Sequence, residues 1–199
     1  MSDDIPRQGF HFDREAHEYF LDGQWMPSVT EVLEPEEQLD GIPLEALERG
    51  RERGHHVHEA CALLCHKNLE WKTLDPLLVP RVEAAKRFLA DTNFTVLRVE
   101  HRMFDPELKV AGTMDLFGVM DRRSWVIDWK SGFISRTAGP QTAAYDKLFR
   151  RNFGGRENKR AVVELHEDGR YKVRQFEDSR DYGIFVSALN LFHWRRRTS

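Results

Sequence analysis

Cysteine is nearly missing from this chain: Cys61 and Cys65 are the only two among 199 residues. Two thiols exclude a disulfide framework, and they exclude a zinc or iron–sulfur site built on four cysteines. Four residues apart in a helical segment, beside Ala62, Leu63 and Leu64, they read as buried free thiols. Long apolar runs are missing too. No stretch approaches the roughly 20 residues that span a bilayer, and the opening "MSDDIPRQGF" lacks the basic-then-apolar layout of a signal peptide. The expectation is a soluble, cytoplasmic protein with no membrane partner. There is no excess of either charge sign: a formal net charge of −3 neither announces nor forbids a polyanionic partner. The basic stretches "ERGRERG", "RRNFGGRENKR" and "HWRRRTS" each read, taken alone, as solvated surface. Repeats, low-complexity tracts and long linkers are absent as well, which favours one α/β domain over 1–199.

What is present is a clear alternation of patterns. "YFLDGQWMPSVT" has apolar runs on both sides of Asp22-Gly23, a dipeptide suited to a tight hairpin, and Phe10 and Phe12 add a further short strand. A loop holding Pro35 follows. Helical spacing runs from Pro43 or Leu44 to about Leu64, with an interruption expected near Gly50 or Gly54, and again from Pro76 to about Ala90 with Pro80 in the first turn. "FTVLRVEHRMF", "KVAGTMDLFGVM" and "SWVIDWKS" read as three strands, the last two joined by a turn at Asp121–Arg123. Thr137 to about Arg151 is helical, "GRENKRAVVELHEDGRYKVRQF" is strand–turn–strand, and Asp178 to Trp194 is a final helix. The organisation is an N-terminal hairpin extension over 1–42 and an α/β core over 43–199, with a central mixed sheet flanked by helices.

Within the strand block, Asp128 and Lys130 share a face, because strand side chains alternate with period two. A charged pair at the end of an apolar strand costs desolvation energy unless something offsets it. Counted from the turn near residue 122, Asp115 lies seven residues back and Asp128 six forward, nearly opposite each other. Two carboxylates so placed repel, and a hard divalent cation such as Mg²⁺ or Mn²⁺ relieves them. Lys130 is then placed to act on a water or to stabilise charge on a phosphorus centre. His58 shares a helix face with Gly54, Glu100 closes the strand before that of Asp115, and Gln141 and Tyr145 sit four apart on the helix that follows Lys130. Singly, each has a plainer reading: an ordinary ion pair, a satisfied histidine, a helix surface packed on a core.

As an ordered set they resemble the PD-(D/E)XK nucleases, in the RecB-like and Cas4-like branch that includes phage-encoded exonucleases. The resemblance rests on "GHHVH" with Gly54 and His58, Glu100, "GTMD" with Asp115, "VIDWK" with Asp128 and Lys130, and "QTAAY" with Gln141 and Tyr145. It spans residues 10–150. It implies a restriction-endonuclease-like core and a nuclease that hydrolyses DNA phosphodiester bonds, an exonuclease of recombination, repair or phage genome processing. The alternative is a catalytically silent nucleic-acid-binding scaffold of the same fold. By the resemblance, His58, Asp115, Asp128 and the Trp129 backbone carbonyl hold one or two Mg²⁺ or Mn²⁺ ions. Asp115, Asp128 and Lys130 are catalytic, with Lys130 acting on the attacking water. Glu100, Gln141 and Tyr145, with Arg51 and Arg53, support the site or hold nucleic acid. Arg49, Arg150, Arg151, Arg156 and Lys159 become candidate phosphate contacts, and the Trp129 ring a candidate base-stacking platform. The second acid is aspartate where many relatives have glutamate, and the four cluster-binding cysteines of some relatives are missing, so no iron–sulfur cluster is expected. DNA is the implied partner. With no helicase motif in the chain, a separate recombinase, single-strand-binding protein or helicase is a compatible partner, as is an oligomer, in a bacterial or phage-infected cell.

Overall fold

The structure, a computed structural model, describes residues 9–36 and 43–197. The first eight residues of the hairpin extension and part of the Pro35 loop therefore lie outside the described residues. Strands β1 (Phe10–Asp13), β2 (Glu18–Leu21) and β3 (Gln24–Met26) form an antiparallel three-stranded sheet. The β2–β3 turn is Asp22-Gly23, both with positive φ (51° and 76°), as a two-residue hairpin requires. Directly after it comes α1 (Val29–Leu33), a helix the sequence reading passes over. Its signal is a capping box: Ser28 Oγ accepts from Glu31 N, and the Glu31 carboxylate accepts from Ser28 N.

The central sheet has the order β4 (Thr95–Asp105), β5 (Val110–Met120), β6 (Arg123–Lys130), β7 (Lys159–Leu165), β8 (Tyr171–Phe176). All neighbours are antiparallel except β6 and β7. A parallel pair needs a crossover, and α4 (Ala138–Phe153) supplies it. Helices α2 (Leu44–Cys65) and α3 (Val79–Asp91) bring Val57, Cys61, Ala85 and Phe88 against Leu116, Ile127 and Trp129 on one face of the sheet. On the other face, α1, α4 and α5 (Asp181–Arg197) pack Val29, Leu148 and Leu189 on Met114, Phe117 and Val126. Covered on both faces, β5 and β6 carry the unbroken apolar runs Leu116–Met120 and Trp125–Ile127 next to their polar positions. The architecture is thus the expected one, a central mixed sheet flanked by helices with an N-terminal sheet.

Three details differ from the sequence reading. Helix α2 runs unbroken through Gly50 and Gly54, each costing about 1 kcal/mol against alanine, offset by the buried face of Val57, Ala60 and Cys61. Helix α3 begins at Val79 rather than Pro76, because Asp75 caps the preceding turn through its side chain to Leu77 N (2.8 Å). The β5–β6 turn uses only Asp121 and Arg122, with φ of 51° and 59°, and Arg123 already belongs to β6. That shifts the turn centre so that Asp115 and Asp128 fall directly opposite each other.

Candidate metal centre and lysine site

The functional side chains gather where β5 and β6 part. Their ladder ends at Leu116↔Ile127, and the next two residues are Asp115 and Asp128. Beyond that point the Trp129 N–H, which the β5 backbone no longer accepts, donates instead to Asp115 Oδ2 at 2.7 Å. Asp115 thereby closes the fork with its own carboxylate.

A second irregularity lies across the β4–β5 ladder. Val99↔Leu116 and His101↔Met114 are paired, with Glu100 and Asp115 facing each other in between. Glu100 has φ +47°, a left-handed conformation that costs a glutamate about 1–3 kcal/mol. Its effect is visible in the packing. Met114 and Phe117 pack on the α4 face although three residues apart, and Leu116 packs on the α2 face. Strict alternation forbids this, so both strands change phase at Glu100 and Asp115. Glu100 does not close its strand, as the sequence suggested, but sits within it, and the distortion turns two neighbouring carboxylates toward α2.

From α2, His58 completes this half of the site. One ligand atom each from His58, Glu100 and Asp115 lies within 4.8 Å of the others, and His58 Nδ1 is 3.3 Å from Asp115 Oδ2. Bonds of about 2.0–2.1 Å around an octahedral ion put adjacent ligands roughly 3 Å and opposite ones roughly 4 Å apart, so the trio would draw in by up to about 1–2 Å around a shared ion. One imidazole and two carboxylates form a donor set for Mn²⁺, and the carboxylates one for Mg²⁺. Crowding also marks the cluster as built for positive charge. Burial, then the charge of Asp115, raises the Glu100 carboxyl to about 8. Burial alone would depress His58, but the charge and hydrogen bond of Asp115, with Asp128 and Glu100 behind them, outweigh it and lift the imidazole to about 9. For Asp115 burial opposes ionisation, yet His58, Lys130 and the Trp129 N–H hold it below the usual carboxylate range.

The other half faces α4. Gln141 Nε2 donates to Asp128 Oδ1 (2.9 Å) and to the Tyr145 hydroxyl (3.3 Å), and Lys130 Nζ donates to Gln141 Oε1 (3.2 Å) while lying 3.0 Å from Asp128 Oδ2. That ion pair is the only partner of Asp128 Oδ2, which accepts no well-aligned hydrogen bond among the described residues. Burial raises the Asp128 pKa, with Lys130 pulling against it and Asp115 adding to it. Burial also pushes the Tyr145 phenol well up, so it stays neutral. Tyr145 reaches this position because Gly112 lies beneath it: a Cβ there would stand 2.9 Å from Tyr145 Cε1.

Of the expected residues, the structure therefore brings His58, Glu100 and Asp115 together on one side of the fork and Asp128, Lys130, Gln141 and Tyr145 on the other. Asp128 stands outside the close trio. The Trp129 ring is no stacking platform: it is 1% exposed and packs edge-on against Phe88 at 5.6 Å. At Gly54 a Cβ would meet only Ser131 Oγ at 3.9 Å, an ordinary contact. Arg53 lines a cleft of about 250 Å³ with Arg81, Lys130, Ser131 and Gly132. Arg51 pairs with Glu34. Among the outlying cations, Arg49 pairs with Glu45, Arg150 with Asp146, Arg151 with Glu107 and Lys159 with Glu177. No helix among the described residues is long and apolar enough to cross a membrane.

The trio makes stability depend on pH in a defined direction. With metal removed by chelation, His58 holds its proton to about 9 instead of 6.5, and Glu100 to about 8 instead of 4.5. Above each ordinary value the folded state binds more protons than the unfolded one, so stability falls as pH rises. The thermal midpoint of the chelated protein is expected to drop from about pH 4.5 to 9, most steeply between 6.5 and 8 where both groups contribute, and saturating Mn²⁺ to flatten that drop. Parallel curves with and without Mn²⁺ would count against a metal at the trio.

No family model matches the chain, and no curated protein matches it. Among solved structures, it is similar to an alkaline exonuclease (LHK-Exo) from Laribacter hongkongensis, at 12% identity over 87% of this chain and 88% of that one, with a TM-score of 0.42. The same exonuclease in complex with dAMP gives 12% identity, the same coverage and a TM-score of 0.41.

Proposed function

We propose that this chain is a divalent-metal-dependent nuclease that hydrolyses DNA phosphodiester bonds. The observation that carries the reading is the fork itself: Asp115 is shared between a trio suited to a cation and, through Trp129 N–H, the strand end that presents Asp128 and Lys130. His58, Glu100 and Asp115 are the proposed ligands, with Asp128 and the Trp129 carbonyl as further ones. A cation held there supplies Lewis acidity toward the phosphodiester and makes a water acidic enough to attack at neutral pH.

The remaining work falls to the chain's own groups. Lys130 is a fixed ammonium, oriented by Gln141 and Asp128, beside the place where negative charge grows on the phosphoryl oxygens. Gln141 spends both ends of its amide on this arrangement, and buried Tyr145 holds the amide in register. In the reaction a water oxygen bonds to phosphorus and the bond from phosphorus to the 3′ oxygen breaks. The water gives up a proton, the leaving oxygen takes one, and a 5′-phosphate and a 3′-hydroxyl result. Arg53, in the cleft next to Lys130, is the proposed contact for a neighbouring phosphate. The finer reading is an exonuclease of the RecB-like type acting in recombination, repair or phage genome processing.

The test is incubation of the purified protein with end-labelled single- and double-stranded DNA, linear and circular, with Mn²⁺, with Mg²⁺ and with EDTA. Metal-dependent strand loss is expected, from linear strands before circular ones. Tight binding with no strand loss in either metal would return the chain to a nucleic-acid-binding scaffold.

A further inference from the structure

The strand that delivers Lys130 runs straight into a short loop whose tip carries Phe133. At 81% exposure it is the most exposed large apolar side chain among the described residues. Both flanks of that loop are tied down. Arg81, itself 4% exposed, donates from Nε to Ser131 O at 3.3 Å. Past the tip, Arg136 Nε donates to Glu36 O (3.0 Å), and Ser135 and Thr137 share a hydroxyl contact of 2.7 Å at the start of α4. An anchored loop that holds an aromatic ring in water forgoes the gain of burying it, about 1.5–3 kcal/mol for such a side chain. Phe133 is three residues from Lys130, so their Cα atoms are at most about 11 Å apart. A ring at that range lies within a nucleotide or two of any phosphate that Lys130 serves. The cleft beside it sets Arg53, Arg81 and Lys130 against Glu164 and Glu167, the last paired with Arg81, and Arg53 is its cation for the strand's phosphates.

Resting on the nuclease reading, we infer that Phe133 stacks on an unpaired nucleobase next to the scissile phosphate, which makes single-stranded or frayed ends the substrate class of this site. Every base offers a face to an aromatic ring, so the contact is sequence-tolerant. A base inside a duplex is already stacked on both sides and has no free face to give.

The experiment measures the affinity of wild type, Phe133→Ala and Phe133→Trp for one short single-stranded oligonucleotide. A strand of the same length made wholly of abasic residues is the control. Fluorescence anisotropy is read with Ca²⁺ in place of Mn²⁺, so that strands stay whole. Phe133→Ala is expected to bind the ordinary strand about tenfold more weakly, to match wild type on the abasic strand, and to keep an unchanged thermal midpoint. Phe133→Trp is expected to bind the ordinary strand as wild type does. Equal affinity of wild type and Phe133→Ala for the ordinary strand, or an equal loss on both strands, overturns the inference. Cleavage of the same ordinary strand by wild type with Mn²⁺ is scored separately. Its absence would bring down the nuclease reading, while the binding comparison would still decide whether Phe133 stacks.

Discussion

Lys130→Met is expected to slow phosphodiester cleavage by about 10³-fold while leaving the chain folded and able to bind Mn²⁺. The ammonium sits 3.0 Å from Asp128 and 3.2 Å from Gln141, fixed in place before any substrate arrives. Removing a preorganised group that meets transition-state charge costs about 10²–10³-fold in turnover, and losing a full positive charge in a mostly buried site puts the expected loss at the upper end. The fold survives because Asp128 has an alternative to its lost partner. With Lys130 gone, burial and Asp115 raise the Asp128 carboxyl further, and it takes a proton instead of remaining an uncompensated charge. The variant should therefore match wild type in stability at mildly acidic pH and fall behind as pH rises. Lys130→Arg tests the geometry, since a planar guanidinium cannot present a compact charge to Asp128 and Gln141 as an ammonium does, and little rescue is expected. Single-turnover cleavage with Mn²⁺ and calorimetric titration of the metal are the two readouts. A Lys130→Met protein that cuts at the wild-type rate would remove Lys130 from the chemistry.

Much of this site was legible because strand pairing is arithmetic. A two-residue turn and period-two alternation place Asp115 opposite Asp128, and the count from residue 122 missed the true register by a single position. The same arithmetic puts Trp129 on the side of Trp125 and Ile127, away from Asp128. The burial of its ring was thus implied by the sequence, and the thought of base stacking ran against it. Glu100 was undervalued for a different reason. Its place opposite Asp115 could be counted from the hairpin between β4 and β5, whose midpoint lies between Glu107 and Leu108. Its direction could not: the phase change depends on φ +47° at a residue with no intrinsic preference for that region. Of the cations, Arg49 and Arg150 pair one helical turn away in sequence, with Glu45 and Asp146, whereas the partners of Arg51 and Lys159 lie 17 and 18 residues off. Nothing near Arg51 or Lys159 announces Glu34 or Glu177, which only the fold brings close.

Asp115 is the residue on which both halves of the fork depend, and Asp115→Asn and Asp115→Ala are expected to separate its two duties. Asparagine keeps an oxygen to accept the Trp129 N–H, now made at 2.7 Å, but loses the charge that a cation and His58 require. Calorimetry should find no divalent binding at the trio, and turnover should fall by at least about 10³-fold. The loss of that charge also reaches its neighbours in opposite ways. His58, held at about 9 chiefly against the pull of burial by Asp115, should titrate lower, and so should Glu100, because the charge that pushes it toward 8 is gone. Both shifts can be followed by NMR in the metal-free protein. Alanine removes the acceptor as well, so a buried N–H at the strand fork goes unmet at a further cost of about 1–3 kcal/mol. Urea unfolding should accordingly rank Asp115→Ala below Asp115→Asn, with metal binding absent in both. Were Asp115→Asn to bind Mn²⁺ as wild type does, the cation could not lie among His58, Glu100 and Asp115, and the fork would be a structural ion-pair network instead.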